Sequence, residues 1–318
     1  MKILEPIHVK KILITDYVHP LLLGGLTENN FSVNYSPDIL LSELPEIISE
    51  YYGIIINSKI KMDKTLIDLG DNLKFIARLG SGLEIIDTEY AKTKGIKVIN
   101  SPHGNSNAVS EHAMGMLLSL SNNLIVANDE VKSFNWHREK NRGWEIEGKT
   151  IGVVGIGHTG RQFLRKLNGW NARLLAYDKY DQSYLDHFKN VKPVSLDKLK
   201  AESDIISFHL PLTLETKHLV DIQFLNGCKK GVVVVNTSRG QVVDTAALIK
   251  GLESGMVGGA CLDVFENEKP EKMSLDEKLM YQKLFSFTNV LVSPHIAGWT
   301  HESLQKIAQI TLNKILEL

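Results

Sequence analysis

The stretch Ile151-Gly152-Val153-Val154-Gly155-Ile156-Gly157-His158-Thr159-Gly160 constrains this chain more than any other, together with Asp178 eighteen residues beyond it. Its first residues are mostly apolar and β-branched, as a strand buried on both faces of a parallel sheet requires. Three glycines follow at G-x-G-x-x-G spacing, and Arg161 to Leu167 then carries an amphipathic helical pattern. A second apolar strand, Arg173 to Tyr177, ends at Asp178. Strand, glycine turn, helix, strand and terminal acid are the order of a dinucleotide-binding βαβ unit. Gly155 permits the tight turn, Gly157 lets backbone approach a pyrophosphate, and Gly160 lets helix and strand pack closely. His158 and Thr159 complete the loop at the helix N-terminus, where free N–H groups and the helix dipole attract an anion. Asp178 is placed to accept hydrogen bonds from the adenosine ribose and to repel a 2′-phosphate, so the expected cofactor is NAD rather than NADP. Lys179 next door works slightly against that preference.

The 318 residues suffice for two domains, each with its own core. A net charge of −1 gives no electrostatic case for a nucleic-acid or acidic-membrane partner. Cys228 and Cys261 are isolated and no Cys/His ligand spacing occurs, so no metal site is expected and both thiols read as small buried hydrophobes. Met1 to Lys10 lacks a signal-peptide apolar core, and no apolar run of the ~18 residues needed to cross a bilayer exists. A cytoplasmic location is the default expectation.

Short apolar runs alternate with helical patterns through the first hundred residues. Strands are expected at Ile12–Thr15, Ser32–Tyr35, Gly53–Ile56, Phe75–Arg78 and Lys97–Ile99, with helices at Ser42–Ser49, Asp63–Leu69 and Asp87–Thr93. Ser101-Pro102 and Gly104-Asn105 punctuate the chain as a hinge would. One long helix is expected from about Asn107 to Val131, and then Lys132–Lys149 reads as an arm bearing Phe134, Trp136 and Trp144. That arm suits either a partner surface or its own subunit. From Thr150 a second α/β unit runs to about Pro294, and a last helix, Thr300 to Leu316, can return to the first domain. The expected fold is therefore α/β, with two Rossmann-like parallel-sheet domains. Residues 1–101 and 296–318 would form a discontinuous substrate domain, and 102–295 the NAD-binding domain.

Three further segments place functional groups at the C-terminal ends of strands, where open α/β sheets bind ligands. After Val232–Asn236 comes Arg239, a fork of donors suited to a carboxylate. After Cys261-Leu262 come Asp263, Glu266 and Glu268, and after Val290–Ser293 comes Pro294-His295. A ketone that receives a hydride needs a proton on its oxygen, and a histidine supplies one near neutral pH. A carboxylate on its far nitrogen orients it, and an arginine polarises the carbonyl. Arg239, Glu268 and His295 together fit that set. Glu266 is the second choice for the acid, because Lys269 intervenes between Glu268 and Pro270. Each alone is as readily an ordinary surface or structural residue.

These segments make the resemblance specific. With Gly155-Ile-Gly-His-Thr-Gly160 come Ser207-Phe-His209-Leu-Pro211-Leu-Thr213-Leu-Glu-Thr216, Asn236-Thr-Ser-Arg239-Gly240, Leu262-Asp263-Val-Phe265 and Ser293-Pro-His295-Ile-Ala297. Over nearly its whole length the chain resembles the D-isomer-specific 2-hydroxyacid dehydrogenase family. The resemblance implies that Arg239 binds the substrate carboxylate and carbonyl, that Glu268 pairs with His295, and that His295 is the general acid/base. It puts Thr237 and Asp263 on the nicotinamide side, with Asp263 near the carboxamide, and His209, Pro211 and Thr216 along the cofactor cleft. Arg78-Leu-Gly80-Ser81-Gly82 matches the family's glycine loop, in which backbone N–H groups of Ser81 and Gly82 grip the substrate carboxylate. A homodimer through residues 107–149 is implied as well, as is closure of the two domains around a small 2-hydroxy or 2-keto acid.

Within the family the chain is most similar to short D-3-phosphoglycerate dehydrogenases, with Arg78 a candidate for the substrate phosphate and Lys59 and Lys61 in the adjacent loop. Glyoxylate/hydroxypyruvate reductase, glycerate dehydrogenase, D-lactate dehydrogenase and phosphite dehydrogenase are the alternative chemistries on this scaffold. An NAD-sensing corepressor is the alternative of another class.

Overall fold

The computed structural model describes residues 10–180 and 183–318. Residues 1–9, on which the signal-peptide reading falls, lie outside the described residues. The chain divides into two compact units, Met1–Asn105 with Trp299–Leu318, and Ser106–Gly298. The boundaries expected from sequence lie three to four residues earlier.

The first unit holds β1 (Lys11–Ile14), α1 (Pro20–Glu28), β2 (Ser32–Tyr35), α2 (Leu44–Ile47), β3 (Gly53–Ile56), α3 (Lys64–Asp68), β4 (Phe75–Arg78), α4 (Thr88–Thr93) and β5 (Lys97–Asn100). Its strands form one parallel sheet in the order β2-β1-β3-β4-β5. Successive side chains alternate between faces, so Ile12, Ile14, Ile55 and Phe75 enter one core while Leu13, Ile54, Ile56 and Ile76 enter another. The helix expected at Ser42–Ser49 is α2 flanked by 3-10 turns, with Pro45 near its start.

The second unit holds α5 (Ser106–Ser121), α6 (Leu124–Lys132), β6 (Thr150–Val154), α7 (His158–Lys166), β7 (Arg173–Tyr177), β8 (Val191–Pro193), α8 (Leu196–Glu202), β9 (Ile205–Phe208), α9 (Ile222–Asn226), β10 (Val232–Asn236), α10 (Thr245–Glu253), β11 (Val257–Leu262), α11 (Leu275–Phe285) and β12 (Val290–Val292). Its parallel sheet runs β12-β11-β10-β9-β6-β7-β8. The order reverses between β6 and β9, which makes their carboxyl ends the crevice where such sheets take ligands. The single long helix expected over Asn107–Val131 is two. Asn123 adopts φ 52, a left-handed conformation that ends α5 and starts α6.

The last helix, α12 (His301–Leu316), returns to the first unit. Thr300 caps it, accepting from the Ser303 amide at 3.1 Å. Ile307, Ala308, Leu312 and Ile315 enter the core shared by β1 and β4. Gly25 of α1 makes room for it, since a Cβ there would overlap the Leu312 side chain.

Candidate active site

The glycine turn is built by three separate steric demands. Gly155 follows β6 at φ 90 with the His209 carbonyl directly against it, so no side chain fits. A Cβ at Gly160 would overlap the Gly155 carbonyl, which brings the first turn of α7 onto the loop. A Cβ at Gly157, the α7 N-cap, would meet nothing within 4 Å. Open backbone at a helix N-terminus suits a pyrophosphate. Asp178, at the end of β7, braces this turn: it accepts the Ile156 amide at 2.7 Å and the Tyr180 amide at 2.9 Å.

His209 closes the other side of the crevice. It is buried, its ring lies 5.1 Å from that of Phe163, and its Nε2 lies 2.9 Å from Ser207 Oγ. Burial pushes its pKa down to about 3, so the imidazole is neutral at physiological pH. Its Nδ1 and Thr237 Oγ1 are both buried without a hydrogen-bond partner within the protein. His209, whose carbonyl lies against Gly155, thus brings an orphaned polar atom to the open glycine turn, which fits a polar cofactor. Nearby, Thr216 Oγ1 donates to the Pro211 carbonyl at 2.6 Å and fixes the loop between them.

Beyond β10, buried Asn236 holds the turn that carries Arg239. Its side chain accepts from Ser238 N and Oγ at 3.1 and 2.8 Å and donates to the Arg239 carbonyl at 2.9 Å. The guanidinium donates to the Ser238 carbonyl at 2.7 Å. Gly240 lies flat against the Phe265–Glu266 peptide, where a Cβ would collide. The arginine turn and the acidic loop are thereby held together.

Glu268 meets His295 in that loop, with Nδ1 and Oε2 2.7 Å apart. Glu268 also accepts the Phe265 amide at 3.2 Å. Partial burial raises the carboxyl's pKa, but the His295 hydrogen bond and charge, the Phe265 amide and the Arg239 charge outweigh it and hold the pKa below the ordinary value. An ionised Glu268 fixes the proton on Nδ1 and leaves Nε2 as the ring nitrogen it does not engage; the His295 side chain is 49% exposed. Glu266 is committed elsewhere, 2.6 Å from His218 Nε2 and accepting the Thr245 amide at 2.9 Å.

Asp263 follows β11 and supports the turn at His295. Its carboxylate is fully buried and turned into the segment that carries His295. Oδ1 accepts from Ser293 Oγ at 2.5 Å and from Ile296 N at 2.9 Å, and Oδ2 accepts from Ala297 N at 2.8 Å. The His295 amide donates to the Asp263 carbonyl at 2.7 Å. His295 itself has φ 57, a conformation that few non-glycine residues adopt. A carboxylate that gathers several close donors satisfies the buried N–H groups of such a turn. Ser293 and Asn236 lay within the sequence motifs but carried no role there, because nothing in a one-dimensional pattern tells which polar side chain turns inward.

In the first unit, Arg78 ends β4 and its guanidinium packs against Gly80, where a Cβ would collide with it. Three hydrogen bonds hold the loop: the Ser101 amide donates to Gly80 O at 2.8 Å, Asn100 Nδ2 to Ser81 O at 2.8 Å, and Ser81 Oγ to Asn105 Oδ1 at 3.1 Å. Gly82 follows in the same loop. Lys59 donates to the Pro37 carbonyl, within the first unit. Among the described residues, no group of three potential ligands could hold a metal ion, and no helix is long and apolar enough to cross a membrane.

Residues 114–297 match the model of the D-isomer specific 2-hydroxyacid dehydrogenase NAD binding domain. The chain belongs to this family. It is 33% identical over 97% of its length to a D-3-phosphoglycerate dehydrogenase of Archaeoglobus fulgidus, and spans 57% of that protein. It is 37% identical over 86% of its length to a hydroxypyruvate reductase of Thermotoga maritima, 87% of which is matched. A D-lactate dehydrogenase of Aquifex aeolicus, solved with NAD and lactic acid, superposes with a TM-score of 0.84 at 30% identity, covering 96% of this chain and 94% of that one. The α/β fold with two parallel sheets is the family's, and the glycine turn, Asp178 and His209 all lie in the NAD binding domain or at the crevice it forms.

Proposed function

We propose that the chain is an NAD-dependent dehydrogenase that interconverts a D-2-hydroxy acid and its 2-keto acid. The observation that carries this is the Glu268–His295 pair, joined through Nδ1 at 2.7 Å, with the Arg239 charge acting on Glu268. Bound NAD(H) supplies or accepts the hydride. In reduction, His295 gives the Nε2 proton to the carbonyl oxygen as negative charge grows there. Glu268 stabilises the imidazolium that must exist beforehand. Arg239 holds the substrate carboxylate and polarises the carbonyl, and the Ser81 and Gly82 amides offer a second carboxylate site. Gly155, Gly157, His158, Thr159 and Gly160 would cradle the pyrophosphate and Asp178 the ribose. Thr237, Asp263, His209, Pro211 and Thr216 would shape the pocket around the rest.

D-3-phosphoglycerate is the first substrate to test, with Arg78 the cation for its phosphate. Unphosphorylated hydroxypyruvate is the second reading, favoured by the 37% identity to a hydroxypyruvate reductase and by Lys59 being engaged with Pro37. NADH oxidation with 3-phosphohydroxypyruvate, hydroxypyruvate, glyoxylate and pyruvate tests both. Turnover of one supports the enzyme, and NADH binding without turnover of any would support an NAD sensor.

A homodimer through residues 107–149 belongs to the same proposal. Leu124, Ile125, Phe134 and Trp136 are exposed there, Phe134 by 88%. An aromatic surface of this kind marks an interface. Sedimentation of the wild type against Trp136→Ala tests it.

A further inference from the structure

We propose that His112, on α5, is a positioning residue for His295: by donating to Ser293 it completes a hydrogen-bond relay that holds Asp263 and the turn presenting the imidazole. The inference rests on the reading of His295 as proton donor.

The direction of the relay follows from proton counting. Ser293 has one hydroxyl proton and gives it to Asp263 Oδ1 at 2.5 Å, because an ionised carboxylate only accepts. Ser293 Oγ must therefore accept from its other neighbour, His112 Nε2 at 2.8 Å. His112 thus carries its proton on Nε2, which also lies 3.6 Å from Asp263 Oδ1. The chain runs His112 → Ser293 → Asp263, and Asp263 in turn receives the Ile296 and Ala297 amides on either oxygen. Met116, one helical turn from His112, lines the same spot with its sulfur 3.8 Å from Ser293 Oγ.

The turn needs such a clamp. A non-glycine residue at φ 57 lies in a sparsely populated region and persists only where its surroundings over-determine it. The surroundings here are a buried carboxylate in a low-dielectric interior, where each missing donor is felt. Without His112, Ser293 Oγ loses its donor and is free to rotate away from Asp263. Asp263 faces His112 from the segment after β11, and the Glu268 and Arg239 charges stand at the His295 end.

The experiment compares wild type with His112→Ala and His112→Gln, whose side-chain N–H can still donate. Its readouts are kcat, KM, NADH Kd and the low-field proton resonance of the His295–Glu268 hydrogen bond in the apoprotein. His112→Ala is expected to lower kcat on the order of tenfold through misplacement of the acid, with KM and Kd changed less than about twofold. Its resonance should shift or broaden, and His112→Gln should restore both. Should His112→Ala not fold, Ser293→Ala breaks the relay one atom further on and is expected to give the same pattern. A wild-type kcat and resonance in the alanine variant, or a glutamine variant as impaired as alanine, would overturn the proposal. If the wild-type protein turns over no keto acid, the dehydrogenase reading fails, and the apoprotein resonance alone still decides the relay.

Discussion

Glu266 and Glu268 stand two residues apart in one loop and take different histidines, the first 2.6 Å from His218 and the second 2.7 Å from His295. Alternation along an extended segment sends neighbouring odd and even side chains apart, but these two have the same parity. The loop bends between them, where the Asn267 amide donates to Tyr281 Oη at 3.1 Å and the Asn267 side chain to Glu277 at 3.0 Å. That bend aims one acid at the turn near α10 and leaves the other for His295.

Replacing Glu268 by Gln removes the negative charge behind the imidazolium. The fall of kcat/KM for keto-acid reduction with rising pH should then move to lower pH, and a profile superimposable on wild type would separate the two residues functionally. Stability carries the same signature. Because the folded carboxyl is held below its ordinary value, its contribution is present at neutral pH and fades as pH falls from the ordinary glutamate range through the lowered value. Urea titrations should show the variant losing less stability over that window.

Asp178→Ala should weaken NADH binding and narrow the preference over NADPH, as read from the two dissociation constants. Loss of its bond to the Ile156 amide should also cost about 1–3 kcal/mol of stability, since a buried donor is left without a partner. An unchanged NADH/NADPH ratio would remove Asp178 from the ribose site.

The arm after α6 is tied back to that helix by Glu130, which binds Lys140 at 2.7 Å and Asn141 at 2.5 Å with His137 close by. These contacts, Lys140 first, draw its pKa down to about 2. A carbon-13 titration of Glu130 should find its midpoint near there, with the arm's anchoring complete above the ordinary glutamate range and lost as pH falls through that value. Glu130→Gln should speed tryptic cleavage around Arg138 and Lys140 at neutral pH. Equal cleavage rates would mean that other contacts hold the arm.

Leu312→Ala, in the helix that returns to the first unit, should cost about 2–5 kcal/mol by leaving a cavity against Gly25. Chemical denaturation measures it, and a loss below ~1 kcal/mol would show that α12 collapses into the space.

Most strands were legible because two-sided burial writes itself as short β-branched runs, as in Val232–Val235 and Ile54–Ile56. The glycine turn was legible because backbone sterics at Gly155 and Gly160 admit no other residue. The break of the long helix at Asn123 was not, since a left-handed asparagine leaves the apolar periodicity on either side intact. The inward turn of Asp263 and the role of Ser293 were hidden for a related reason: both depend on strands far apart in sequence meeting side by side, β11 against β12.

The account turns on His295 delivering the proton. The most direct measurement is single-turnover reduction of the best keto acid by NADH, comparing wild type with His295→Asn at saturating substrate and matched NADH occupancy. The account predicts a rate loss on the order of 10²–10⁴ with NADH affinity intact. A variant that reduces the acid at the wild-type rate would contradict it.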